Sequence, residues 1–159
     1  MPGGSPVKDH ETLDLWGIPI HNATTKREGK LIMAKTRILI MDDEDLILDV
    51  VSSMLEYLGY EVELSRNGQE ALAIYKASLG TPNPIGAVIM DLTIPGGRGG
   101  KEVIRDLMAL DPQVRAIVSS GYSNDPIMSN CTEYGFKGVV RKPFKMEDLR
   151  DVLQEVLKP

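Results

Sequence analysis

From Thr36 onward, short apolar runs alternate with stretches whose apolar residues recur at helical spacing. Residues 37–41 (Arg-Ile-Leu-Ile-Met) read as a short buried strand. Residues 44–57 place Leu46, Ile47, Val50, Val51, Met54 and Leu55 at helical spacing, with Leu58 just beyond, which predicts a helix with that face inward. Gly59 ends it, because glycine takes up left-handed backbone at little cost. Tyr60, Val62 and Leu64 then alternate with Glu61 and Glu63, a strand with one wetter side, as expected at the edge of a sheet. Asn67 is a suitable N-cap for a helix over 68–77, with Ala71, Leu72, Ile74 and Tyr75 inward. A proline-rich turn at 80–84 leads into residues 85–90, which carry no charge and suit a central strand covered on both faces.

The alternation continues to the end of the chain. A helix is expected over 99–110, with Val103, Ile104, Leu107 and Leu110 inward, stopped by Asp111-Pro112. A strand over 114–118 follows, then a helix opened by Asp125-Pro126 and running to about Tyr134. A last strand over 138–141 precedes a helix over 147–157 with Leu149, Val152, Leu153 and Val156 on its apolar side. Strand–helix units with short connections force right-handed crossovers and a three-layer sandwich. The expected fold is α/β and flavodoxin-like, a doubly wound five-stranded parallel sheet in the order 2-1-3-4-5.

Polar residues close the predicted strands: Asp42-Asp43, Asp91, Ser119-Ser120-Gly121 and Lys142-Pro143. Parallel strands open their C-terminal ends onto one edge, where such folds bind ligands. Three carboxylates, a hydroxyl and an ammonium gathered there suit a divalent cation and a phosphoryl group. Mg²⁺ (or Mn²⁺) wants about six oxygen ligands and keeps some water. Asp43 and Asp91 can each offer a carboxylate oxygen, Asp42 can reach in through water, and the loop after Asp91 can add the Thr93 carbonyl. Asp91, at the end of the most apolar strand, is the expected nucleophile, forming a mixed anhydride with phosphorus. Lys142 supplies the compact positive charge that pairs with Asp91 at rest and with phosphate afterwards. Ser120 can donate to a phosphate oxygen; Ser119 is expected to point the other way, and Gly121 leaves room for a donor. The Lys142-Pro143 bond is a candidate cis peptide that sequence leaves undecided. Gly96-Gly97-Arg98-Gly99-Gly100 lacks the Lys-Ser/Thr pair of a phosphate-binding loop and reads as a flexible connection.

Composition narrows the picture. The 159 residues are 42% hydrophobic and 26% charged, enough for one ordinary domain with some excess. Eighteen basic against twenty-three acidic residues give a net charge of -5, which offers nucleic acid and anionic membrane no general attraction. Cys131 is the one cysteine, so an intramolecular disulfide and a cysteine metal cluster are both excluded. Without a secretory leader or an apolar stretch near the roughly 20 residues that span a bilayer, a cytoplasmic location is expected and membrane insertion is not. Residues 1–35 have no sustained periodicity and read as a poorly ordered extension or linker, leaving 36–159 as the domain. Leu13, Leu15, Trp16, Ile18 and Ile20 could dock on a partner, while His10 and His21 stand outside any ligand cluster.

Residues 38–44, 88–95, 119–122 and 140–144 together resemble the receiver (phosphoacceptor) domain of two-component response regulators, over about 36–157. The wording around Asp91 and Ser120 is most similar to receiver modules at the C-terminal end of hybrid sensor histidine kinases. The resemblance implies a phosphorelay switch: a histidine kinase or phosphotransfer domain donates its phosphoryl group to Asp91, with Mg²⁺ held by Asp43, Asp91 and the Thr93 carbonyl. It also implies slow self-dephosphorylation rather than turnover of an external substrate. The family's hydroxyl and lysine fall on Ser120 and Lys142. Its aromatic switch position falls on Val139, a departure that leaves the loops after Thr93 and Ser120, or Tyr122, to carry the readout. With the chain ending two residues past Leu157, direct DNA binding is not expected, and a phosphorylation-dependent homodimer is left open. Two rivals remain: an interaction module that signals without phosphate, and a phosphohydrolase with an aspartyl-phosphate intermediate. The second would need an acid–base aspartate two residues after the nucleophile, where this chain has Thr93.

Overall fold

In the computed structural model the described residues are 34–159, preceded by the strand residues 25–27 and 30–32. Strands β1 (Thr25–Arg27) and β2 (Lys30–Ile32) pair antiparallel, with Thr25 opposite Ile32. They belong to a unit of their own, residues 1–34. The expectation of a poorly ordered extension, with its apolar anchors Leu13 to Ile20 and its two histidines, otherwise lies outside the described residues.

The second unit is built on a parallel sheet of β3 (Arg37–Met41), β4 (Glu61–Ser65), β5 (Ile85–Asp91), β6 (Ala116–Ser120) and β7 (Gly138–Arg141). The order β4-β3-β5-β6-β7 is 2-1-3-4-5 within this unit, as the alternation of periods predicts. Strand side chains alternate between faces, and the two faces make two cores. On one face Leu39, Met41, Val88, Met90, Ala116 and Val118 pack against helices α2 (Gly68–Ser78) and α3 (Gly100–Leu110), with Phe136 fully buried among them. On the other, Ile38, Ile40, Ala87, Ile89, Ile117 and Val140 meet helices α1 (Asp45–Tyr57) and α5 (Met146–Val156). Strand β5, whose residues 85–90 carry no charge, sits in the middle because both its faces are covered. At the edge, Arg37 pairs with Glu61 and Glu63, so those exposed carboxylates have a cation beside them.

Three details differ from the sequence expectation. The inward face of α1 is Leu48, Val51 and Leu55, whereas Leu46 is 73% and Val50 41% exposed. Apolar residues surround most of this helix, so periodicity alone could not choose the face; Leu46 and Leu48 lie about 200° apart on a helical wheel. Leu110, the last residue of α3, is likewise 38% exposed. The helix expected from 125 to 134 is broken into a single α-helical turn, α4 (Pro126–Ser129), and a 3-10 turn over Cys131–Tyr134. Asn130, Cys131 and Thr132 are weak helix formers, and inward anchoring in α4 comes from Ile127 and Met128 alone. Finally, β6 runs later than expected, through Ser119 and Ser120, both buried.

Leu48→Ala is expected to lower the unfolding free energy by about 2–5 kcal/mol, and Leu46→Ala to change it by no more than about 0.5 kcal/mol. Urea titration of the two variants checks which face of α1 is packed.

Candidate functional site

The alternation that builds the second core also places the polar side chains. Asp42 continues the Ile38, Ile40 series beyond β3; Asp91 continues Ala87, Ile89; Lys142 continues Val140. All three therefore emerge on the α1/α5 side of the sheet at its C-terminal edge. There Lys142 Nζ lies 2.6 Å from Asp42 Oδ2 and 3.2 Å from Asp91 Oδ2. Asp42 and Asp91 are both buried. The Lys142-Pro143 peptide, undecided from sequence, is cis. The Lys142 backbone N–H donates to the Ser120 carbonyl at 3.1 Å, anchoring the end of β7 on β6.

Asp42 divides its two oxygens between two tasks. Oδ1 accepts the Glu44 N–H at 2.9 Å, ordering the entrance to α1. Oδ2 is buried without an aligned hydrogen-bond donor, so its contact with Lys142 is an ion pair and its remaining lone pairs are free. Asp42, Asp43 and Glu44 bring one carboxylate oxygen each within 4.8 Å of one another. Glu44 went unremarked as a candidate ligand in the sequence. Its contiguity with Asp42-Asp43 was the available signal, but position 44 also reads as the start of a helix. Asp91 meets this cluster through the Lys142 ammonium, which touches both Asp42 and Asp91. The donors are all hard oxygens, and one is buried and under-satisfied, so the residues present fit a hard divalent cation.

Burial pushes the Asp91 carboxyl above the usual aspartate range and the Asp42 charge adds to this; Lys142 and the Thr93 backbone N–H pull the other way without cancelling it. Burial tends to lower Lys142, but its close contact with Asp42 and the charges of Asp91 and Asp42 more than offset that, and it ends above the ordinary lysine range. The ammonium is thus held charged, while Asp91 is a relatively basic carboxylate.

The hydroxyls divide differently from the expectation. By strand alternation Ser119, directly opposite Asp91 in the ladder, falls on the Asp91 side. Ser120 falls on the side of Ala116 and Val118, and its Oγ accepts the Tyr122 N–H at 3.0 Å. Tyr122 is exposed, and a side chain at Gly121 would meet open space. Val139 packs, half-buried, against the α2/α3 core. Among the described residues no helix is long and apolar enough to cross a membrane.

A family model described as "Response regulator receiver domain" matches residues 38–154. The chain belongs to that family. Among curated relatives, the receiver domain is 32% identical over 126 residues to the uncharacterized transcriptional regulatory protein YkoG of Bacillus subtilis, covering 79% of this chain and 53% of that protein. The chain thus spans about half the length of that relative. To the chemotaxis protein CheY of Thermotoga maritima it is 30% identical over 123 residues, 77% of this chain and 98% of CheY. Among solved structures it is similar to the receiver domain of a Pseudomonas aeruginosa sensor histidine kinase with a magnesium ion coordinated in its active site cleft. That likeness has a TM-score of 0.66 at 25% identity, over 79% of this chain and all of the other. The receiver fold with its acidic cluster is suited to Mg²⁺-dependent phosphoacceptor chemistry.

The Asp91 shift has a testable sign. A carboxyl whose pKa is raised on folding destabilises the native state once ionised, and this cost sets in as pH rises above the unfolded value of 3.8. Asp91→Asn is therefore expected to raise the unfolding midpoint of the metal-free protein at neutral pH. The difference from the parent should shrink as pH is lowered towards 3.8. Thermal unfolding in chelator across that range checks it.

Proposed function

We propose that this receiver domain takes a phosphoryl group from the phosphohistidine of a histidine kinase or phosphotransfer domain onto Asp91 and so changes its interaction surface. The observation that carries the reading is the placement of one half-buried ammonium, Lys142, between the Asp42 and Asp91 carboxylates at the ligand-binding edge of the sheet. An Asp91 carboxylate oxygen attacks phosphorus, the P–N bond to the donor imidazole breaks, and the released ring nitrogen keeps the electron pair and takes up a proton. The raised pKa of Asp91 favours this, because a more basic carboxylate is a better nucleophile.

Asp42, Asp43, Asp91 and the Thr93 carbonyl are the residues assigned to Mg²⁺ (or Mn²⁺), with Glu44 close enough to take part. When bound, the cation neutralises charge developing on the transferring phosphoryl oxygens. Lys142 already faces Asp91 and can follow the charge from carboxylate to phosphate without a large movement. Ser120 is assigned the hydroxyl that reaches those oxygens; it starts on the opposite face of the strand from Asp91, so the end of β6 must move with it. Doing so breaks its bond to the Tyr122 N–H, which frees the loop after β6. That route suits a chain whose seventh strand offers Val139 where an aromatic would otherwise carry the signal.

Histidine-kinase-type partners are typical of the family, and one similar structure comes from a sensor histidine kinase. Attachment to a hybrid kinase, a cytoplasmic site of action and phosphorylation-dependent pairing of two copies belong to the same proposal.

Incubation with acetyl phosphate and Mg²⁺ is expected to add one phosphoryl group by intact mass. Chelator should abolish the gain, and Asp91→Asn should abolish it while keeping the parent's circular dichroism. A gain in mass by Asp91→Asn at the parent's rate would place the acceptor elsewhere.

A further inference from the structure

The segment Gly96-Gly97-Arg98-Gly99-Gly100 is not the slack connection that its composition suggests. At Gly99 the backbone is extended (φ -88, ψ -177), a conformation open to any residue, so the need for glycine there is one of space. A Cβ at position 99 would stand 2.4 Å from the Leu92 carbonyl oxygen and 3.0 Å from the Thr93 Cα. One at position 100 would stand 3.1 Å from the Asp91 carbonyl oxygen. These are backbone atoms of the acceptor residue and the two after it, and they cannot rotate away as a side chain can. Gly97 by contrast meets the Ile94 side chain, and Gly96, at φ +69, meets open space.

The backbone so contacted is held from the other side as well, since the Leu92 N–H donates to the Ser119 carbonyl at 2.9 Å. The Thr93 N–H in turn faces the Asp91 carboxylate. Residues 91–93 thus lie between β6 and the first turn of α3. We infer that Gly99 is a positioning residue for the metal and phosphoryl chemistry: its missing side chain lets α3 start against Leu92 and Thr93, setting where the Thr93 carbonyl stands relative to Asp91. The inference rests on the proposed cation site and adds to it a determinant that touches neither cation nor phosphate. A side chain at 99 must push the 92–93 backbone off the α3 start, and the two oxygen donors at 91 and 93 then lose their spacing.

Gly68 supplies the control. A Cβ there would stand 2.3 Å from Val103 Cγ2 and 3.0 Å from the Arg98 carbonyl oxygen, a clash with α3 and the loop before it that involves none of residues 91–93. The test is Mg²⁺ and Mn²⁺ affinity by titration calorimetry on the full chain, for Gly99→Ala, Gly100→Ala and Gly68→Ala, with thermal unfolding in chelator alongside. Gly99→Ala is expected to weaken metal binding about 10-fold, a loss typical of removing a support behind a ligand. Gly100→Ala should shift it less in the same direction, and Gly68→Ala should lower the melting temperature without moving the affinity. Should Gly99→Ala not fold, Gly100→Ala decides on the same measurement. Parent-like metal affinity in the folded glycine variants, or an equal loss in Gly68→Ala, would overturn the positioning role. Failure of the parent itself to bind either metal would instead overturn the cation site beneath it.

Discussion

An ammonium lodged between two buried carboxylates is the constraint on which the rest of this molecule depends. Lys142 touches Asp42 and Asp91 where the sheet would otherwise gather negative charge with little solvent to screen it. Removing the ammonium would leave two buried carboxylates uncompensated, which is far costlier than the pairing itself is stabilising. The site is therefore a store of electrostatic tension as well as a binding place. Asp91 is pushed towards protonation and Lys142 is pulled towards permanent charge. In the proposed reaction a hard cation and an incoming phosphoryl group would both act on that balance, the first by joining the carboxylates and the second by taking over the lysine.

The scaffold makes the arrangement rigid at little expense. Two cores, one on each face, clamp β3 and β5 between helices, so the carboxylates at their ends continue strands whose apolar residues are buried. The parts that can move lie around them. The hydroxyl of Ser120 is occupied by its own loop, Tyr122 stands in solvent, and the helix that follows is one α-helical turn with few inward anchors. A rigid nucleophile beside a less anchored loop suits the proposed switch: phosphorylation would add about -1.5 to -2 charge at a fixed point, next to a loop held by a single Ser120 hydroxyl bond.

The glycines beside the acceptor belong to the rigid part. Gly99 and Gly100 start α3 against the backbone of residues 91–93, so the helix that covers one core also braces the donor loop of the site. Stability and chemistry meet in the same few contacts there, which is why a methyl group's worth of volume is predicted to be felt at the metal.

Much of this was legible in the residues themselves. The alternation of strand and helix periods, with short connections, dictates a parallel doubly wound sheet because right-handed crossovers leave few other topologies. Polar residues closing apolar runs mark one sheet edge as the site, since every parallel strand ends on it. Tertiary structure alone decided the matters that depend on what packs against what. It turned Leu48 rather than Leu46 inward, because a helix apolar nearly all round has no face until a sheet selects one. It put Ser119 on the side of Asp91, because the last residues of β6 stay in the ladder beyond where the apolar run ends. It made Gly99 a matter of space, because no local pattern reveals that another segment's carbonyl oxygen lies where its Cβ would be.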